Sequence, residues 1–514
     1  METQVLIIGG GVTGTAVARD LALRGVDCIL VEKDDVNAGA SGRNHGLLHS
    51  GARYVAHDQD AATECRIEGD ILKRVASRAI QDTGGYFVAV QGDDEKYVGD
   101  FPGFCARAGI TARPVDVATA RAREPAISDK AIAVYEVPDA SVDPFRLSLE
   151  SMAQARSLGA RLMRRTRVVG FEREGREIRA AVVQDGTNGT TQRVHVSQVM
   201  NAAGAWAREV AQLAGAPIEM LYSKGTLLVT HGRLARRVIN RLRPPGNADI
   251  LMPGGTVSIL GTTSSRVEDL RDIHPTVDEV DLILREATPM LPPLETMRII
   301  RAYAGVRPLV GSPSGSDGRT VSRGFALFDH EADGLSNFAT ITGGKLTTCR
   351  LMAERAADLV CRRLGVTRPC LTASDPIPVS PECEWTEPGR APRSWMSALH
   401  VDDPLICECE MVSGSVLDAL YQALRAAGDT PTLTDIGLRS RIGKGACQGA
   451  FCAVRAVAHL YQNGDFQGSR GLDEIVDFFR ERWGGQHAVL WGQQLAQAEL
   501  MEALHCGLFG EELR

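Results

Sequence analysis

The chain lacks any run of about 18 apolar residues, the length a helix needs to cross a bilayer, so no spanning helix is expected. Its first residues, METQVLIIGGG, carry no basic stretch, and their apolar run ends directly in glycines. A secretory signal is therefore not expected, and the chain is assigned to the cytoplasm. Basic blocks are missing too. Lys plus Arg number 57 against 64 Asp plus Glu, a net charge of −7. That balance argues against nucleic acid as a partner. No internal repeat is found. Cysteine is too sparse for a disulfide scaffold, with 12 in 514 residues. In a reducing compartment, clustered cysteines more often mean metal or redox chemistry. An apolar fraction of 44% and a charged fraction of 24% exclude wholesale disorder. At roughly 150 residues per domain, the length suggests about three domains.

Glycine is plentiful, at 53 residues, and its placement is the first positive signal. The apolar strand Val5 to Ile8 runs into Gly9-Gly10-Gly11-Val12-Thr13-Gly14, which opens a helix ending near Gly25. Glu32 closes the next strand, 18 residues past Gly14. In such a unit Gly9 permits the tight turn and Gly11 lets backbone approach a pyrophosphate. Gly14 lets the helix pack against the strand, and the helix N-terminus faces the phosphates. Glu32 is placed to accept ribose hydroxyls, which disfavours a 2′-phosphate. The motif alone leaves NAD and FAD open. The small-residue stretch Gly39 to Tyr54, with Arg43, His45 and His49, favours a flat flavin ring.

That stretch, from Ala40 to Tyr54, resembles the flavin-dependent glycerol-3-phosphate dehydrogenases, above all the large subunits of the anaerobic enzymes. The resemblance continues in order through Val142–Leu147, Asn201–Trp206, Lys224–Thr226, Arg301–Leu309 and Ile341–Thr348. It implies an α/β protein: a glutathione-reductase-like FAD-binding domain of D-amino-acid-oxidase type, interleaved with an antiparallel-sheet substrate domain. Flavin segments are expected at about 1–80, 140–215 and 300–370, and substrate segments at about 81–139 and 216–299. It further implies cofactor contacts from Gly9, Gly11, Gly14, Glu32, Ser41, Gly42, Arg43, His45, Gly46, Leu47, Ala203, Gly204, Gly343, Gly344, Lys345, Leu346 and Thr347. The substrate, sn-glycerol 3-phosphate, is a dianion suited to Arg. Arg53, Tyr54, Arg307 and Arg323 are its expected contacts. Arg307, Arg53, His49 and Lys345 are the expected catalytic group. The base is left among His49, His45 and a water, because Thr226 is followed by Leu227 where aerobic members of the family often carry a histidine.

A Pro-rich stretch, residues 371–403, is read as a linker. Beyond it, in 404–514, Cys407-x-Cys409 is followed after 37 residues by Cys447-x4-Cys452. Soft thiolates suit zinc or an iron–sulfur centre. The spacing resembles the bacterioferritin-associated ferredoxin type of 2Fe–2S domain. The resemblances together imply a helical C-terminal domain whose 2Fe–2S cluster passes electrons from FAD. These would go to further electron-transfer and membrane-anchor subunits, then indirectly to quinone, as in anaerobic respiration. The chain itself would then be peripheral on the cytoplasmic membrane. Two other readings stay open: an amino-acid or hydroxy-acid dehydrogenase built from the same modules, and a non-enzymatic electron-transfer or redox-sensing flavoprotein.

Overall fold

A computed structural model describes residues 1–311, 324–398, 402–428 and 430–510. Val5, Leu6 and Ile7 are fully buried, as a strand covered on both faces requires. This strand, Glu2–Ile8, pairs in parallel with Cys28–Val31 on one side and Thr191–Asn201 on the other. Arg161–Met163 and Phe338–Gly343 extend the parallel part. The hairpin Thr166–Glu174 and Glu177–Asp185, together with Phe325–Asp329, adds antiparallel edges to give eight strands. Helices Val12–Leu23, Pro144–Ser157 and Cys349–Leu364 share one core. Small residues such as Ala18, Ala155, Ala353 and Ala356 let them approach closely. Gly25, at φ +74°, ends the first helix.

A second sheet of nine strands is antiparallel apart from the pairing of Gly85–Val90 with Val238–Arg241. Its longest pairing joins Met220–Thr230 to Ile299–Val310. The strand that carries Arg307 is thus part of this sheet, its ladder with Met220–Thr230 running its whole length. A three-stranded patch of Leu47–Leu48, Ile80–Gln81 and Ala140–Val142 stands apart from both sheets.

Residues 371–403 are more than a spacer. Ile377 donates its N–H to the Val75 carbonyl at 2.7 Å. Short helices then form at Pro381–Thr386 and Arg390–Ala398, the first capped by Ser380. Trp385 and Ala391 pack into the core of the C-terminal module, with Leu417, Tyr421, Ile436, Leu460 and Phe478. Phe479 stacks on Trp483 there, with ring centroids 4.3 Å apart. The module reaches back to the second sheet. Ala302 donates its N–H to Gly485 at 2.7 Å, and Val489 sits in that sheet's core beside Leu228, Leu251 and Ile299. Among the described residues no helix is long and apolar enough to cross a membrane.

One buried ion pair ties helix Cys349–Leu364 to helix Gln59–Val75. Arg350 donates to both oxygens of Glu68, at 2.6 and 2.7 Å, and reaches Glu354 and Thr372. Both side chains are almost wholly buried. Arg350→Ala strands the Glu68 carboxylate, so a loss of about 3–5 kcal/mol is expected, read as a lower denaturant midpoint against the unmodified protein.

Candidate functional site

The glycine turn is built from missing side chains. Gly9 has φ +111°, and a Cβ there would sit 2.6 Å from the Ala202 carbonyl oxygen. A Cβ at Gly14 would lie 1.9 Å from the Gly9 carbonyl oxygen. Gly11 is the helix N-cap in extended conformation, and a Cβ there would meet the Ser41 hydroxyl at 3.0 Å. That hydroxyl accepts from the Val12 N–H at 3.0 Å. Glu32 is buried and accepts from the N–H groups of Gly10, at 2.6 Å, and Asp34, at 2.9 Å. Burial pushes its carboxyl up despite those two donors. Each oxygen retains a second lone pair for a ligand hydroxyl.

These groups open onto a cavity of about 740 Å³ between the two sheets. Gly9, Gly11, Glu32, Ser41, His45, Leu47, His49, Arg53 and Tyr54 line it. So do Ala203, Gly204, Arg307, Gly343, Gly344, Lys345 and Leu346. Five expected cofactor contacts are not in that wall. Gly14 packs on Gly9. A Cβ at Gly42 would lie 2.2 Å from the Asn37 carbonyl oxygen and 2.9 Å from the Phe145 ring. Gly46, at φ +73°, presses on the Val142 carbonyl. The Arg43 carbonyl oxygen lies 2.4 Å from where a Gly305 Cβ would be. Thr347 accepts from the His49 N–H at 3.0 Å. These residues shape the wall from behind, because a turn this tight spends their backbone on neighbouring strands. Arg323 lies outside the described residues.

The polar end gathers residues from both sheets. The His45 and His49 rings are 6.0 Å apart, and His49 is 5.3 Å from Tyr54. The Lys345 ammonium stands 5.2 Å from the Tyr54 ring centre. Arg307 donates to the Ser223 hydroxyl at 3.4 Å, to the Thr263 carbonyl at 3.3 Å and to the Thr262 hydroxyl. Gly225 makes this possible, since a Cβ there would sit 2.4 Å from the guanidinium. Arg53 donates to the buried Asp249 carboxylate at 2.8 Å, which also serves Arg243. His45 accepts the Leu47 N–H on Nδ1 at 3.2 Å. Burial, then the charges of Arg307 and Arg53, push its imidazole down to about 3. It is therefore neutral, with its proton on Nε2.

Sequence reasoning missed Ser223, Asp249, Thr262 and Thr263. They fall in unremarkable stretches, and strand register alone brings them here. Trp206 also lines the cavity, with the Lys33 ammonium 3.7 Å over its ring. It stood inside the Asn201–Trp206 motif, which was the only available signal.

The four C-terminal cysteines do meet. The sulfurs of Cys409 and Cys447 are 3.3 Å apart. Cys407 contacts Cys409 and Cys452, and Cys452 contacts Cys447. Hydrogen bonds from Cys409 and Cys452 hold the Cys447 thiol far below its ordinary range. Gly445 lies against Cys409, and Gly443 and Gly449 pack under Phe478. The thiols are packed on one another; among the described residues no set of three or more His, Cys, Asp or Glu is arranged to hold a metal ion.

Residues 4–359 match the family described as FAD dependent oxidoreductase. The chain belongs to that family. An anaerobic glycerol-3-phosphate dehydrogenase subunit from Escherichia coli (strain K12) is 42% identical to this FAD dependent oxidoreductase, over 99% of this chain and 97% of its own. An anaerobic glycerol-3-phosphate dehydrogenase subunit from Haloferax volcanii is 37% identical over 99% and 91%. Among solved structures, glycerol-3-phosphate dehydrogenase from Bacillus halodurans complexed with FAD covers 96% of this chain and 97% of its own, with a TM-score of 0.65 at 19% identity. Dithionite-reduced L-α-glycerophosphate oxidase of Mycoplasma pneumoniae with FAD bound covers 74% and 100%, with a TM-score of 0.58 at 19% identity. At such identities the two structures show a common fold. FAD, favoured over NAD from the sequence, is borne out by the family. The residues present suit it: a glycine cradle, a helix N-terminus and a buried acid in the cavity wall.

Glu32→Ala is expected to give protein depleted in flavin, with affinity lowered by about 1.5–3 kcal/mol for a lost charged hydrogen bond. The ratio of flavin to protein absorbance after gel filtration checks it, and full occupancy would remove the role given to Glu32.

Proposed function

We propose that this flavoenzyme oxidises sn-glycerol 3-phosphate to dihydroxyacetone phosphate. The observation that carries this reading is Arg307: a planar cation at the cavity, held on the neutral oxygens of Ser223, Thr262 and Thr263. Arg53 and Lys345 stand in the same wall. A phosphate dianion calls for such a set, and a planar guanidinium can meet two of its oxygens at once. The names of the anaerobic dehydrogenase relatives support the same substrate.

FAD, when bound, supplies the acceptor for the hydride leaving C2. The rest is done by this chain. Arg307 is the main phosphate clamp. Arg53 is a weaker second cation, because Asp249 already takes part of its charge. Lys345 steadies the developing alkoxide. His49 takes the hydroxyl proton on an imidazole nitrogen. His45, pushed down to about 3, remains a neutral Nε2–H donor and is not the base.

Residues 404–514 form, in this reading, a 2Fe–2S domain with Cys407, Cys409, Cys447 and Cys452 as ligands. What supports this is the gathering of four soft thiols at one place, with glycines beside them. The word "subunit" in the relatives' names supports the existence of partner subunits; in this reading those partners carry electrons onward to quinone and attach the chain to a membrane.

Arg307→Ala is expected to lower kcat/KM for glycerol 3-phosphate by roughly 10- to 200-fold, from about 1.5–3 kcal/mol of lost bonding, with flavin content unchanged. An unchanged kcat/KM moves the clamp elsewhere.

Cys447→Ser is expected to abolish bound iron, the brown colour and quinone reduction, since each iron of such a centre takes two cysteines. Anaerobic bleaching of flavin by glycerol 3-phosphate should persist. Metal analysis beside both half-reactions checks this, and zinc in the unmodified protein would exclude the relay.

A further inference from the structure

A cluster of buried charge lies behind the flavin cavity, outside the site already described. Asp35 accepts from Arg439 at 2.7 Å and from Arg164 at 2.8 Å. Arg164 also reaches Asp435 at 2.8 Å, and Arg165 joins Asp435 from the rim. The side chains of Arg164, Arg439 and Asp435 are only 2–3% exposed. Arg439 and Asp435 belong to the C-terminal helix Leu433–Arg439. The other three belong to the flavin-sheet part of the chain.

Asp35 sits in a loop with nothing slack in it. Glu32 accepts the Asp34 N–H at 2.9 Å. The Asp34 carbonyl accepts the Arg165 N–H at 2.9 Å. Two residues past Asp35, Asn37 donates its N–H to the Gly10 carbonyl at 3.0 Å. A pull on Asp35 is thus passed to the carboxylate of Glu32 and to the glycine turn.

We propose that Asp35, gripped by Arg439 and Arg164, is a positioning residue for Glu32, so that the C-terminal module contributes to flavin binding. This rests on the flavin reading of the cavity and adds a control that the family assignment does not contain. Burial pushes the Asp35 carboxyl up, but the guanidiniums of Arg439 and Arg164 outweigh it and keep it ionised. Docking by charge at this depth is worth little unless every partner is in place, because an unpaired buried charge is strongly unfavourable. The grip is therefore close to all-or-none, as a coupling element must be. Coupling is also reciprocal: if the grip strengthens flavin binding, flavin must strengthen the grip by the same factor.

The test uses the full-length protein with and without its flavin. FAD affinity, followed by flavin fluorescence, should fall roughly 5- to 150-fold in Arg439→Met and Asp35→Asn. Arg439→Lys should recover part of the loss. In the unmodified protein, adding FAD to the stripped form should slow backbone hydrogen exchange across 433–439. Should Arg439→Met not fold, Arg165→Ala, at the cluster's rim with 24% of its side chain exposed, takes its place. A purely structural grip would raise exchange across 433–439 in the variants and leave FAD affinity alone; that result overturns the proposal. So does exchange in the unmodified protein that ignores FAD. Glu32→Ala separates the two levels: if it too binds FAD normally, the flavin seat is wrong, and if only the Asp35 and Arg439 variants do, the coupling is wrong.

Discussion

Three backbone segments meet where two side chains are missing. The end of Glu2–Ile8, the start of Val12–Leu23 and the end of Thr191–Asn201 come within contact at Gly9 and Gly14. Close packing of this kind tolerates no added methyl, since interiors are as dense as crystals. The contact sets the aim of the helix N-terminus and the height of Glu32 at the cavity wall. It also sets the place of Ala203 and Gly204 opposite. The parallel core strands follow from the same point, because their register is fixed where the turn closes.

Strand Ile299–Val310 is the second organiser. Arg307 lines the polar end of the cavity. Two residues back, Gly305 receives the Arg43 carbonyl, and Tyr303 donates its hydroxyl to Asn44 at 2.8 Å. One residue further, Ala302 bonds Gly485 of the C-terminal module. One strand thus touches the cavity, the loop that carries Arg43 and Asn44, and the cysteine-bearing module.

Much of this was legible in the sequence for a physical reason. The dinucleotide turn works through spacing over a few residues, so Gly9, Gly11, Gly14 and Glu32 announce themselves locally. The paired cysteines do likewise. Asp249, Thr262 and Thr263 could not be read, because their meeting with Arg53 and Arg307 is made by long-range register. Which sheet takes the strand Ile299–Val310 could not be read for the same reason. A strand of this composition suits either sheet, and only its partner decides. Asp35 and Arg439, some four hundred residues apart in sequence, carry no local mark at all.

Val489 joins the core of the second sheet although it lies far along the chain from that sheet's first strand, Gly85–Val90. Synthesis runs from the N-terminus. The sheet therefore emerges from the ribosome with an unfilled apolar hole, which closes only once residue 489 has been made. Until then the nascent chain exposes Leu228, Leu251 and Ile299 to whatever is near. A chain stopped short of Val489 would leave that hole open.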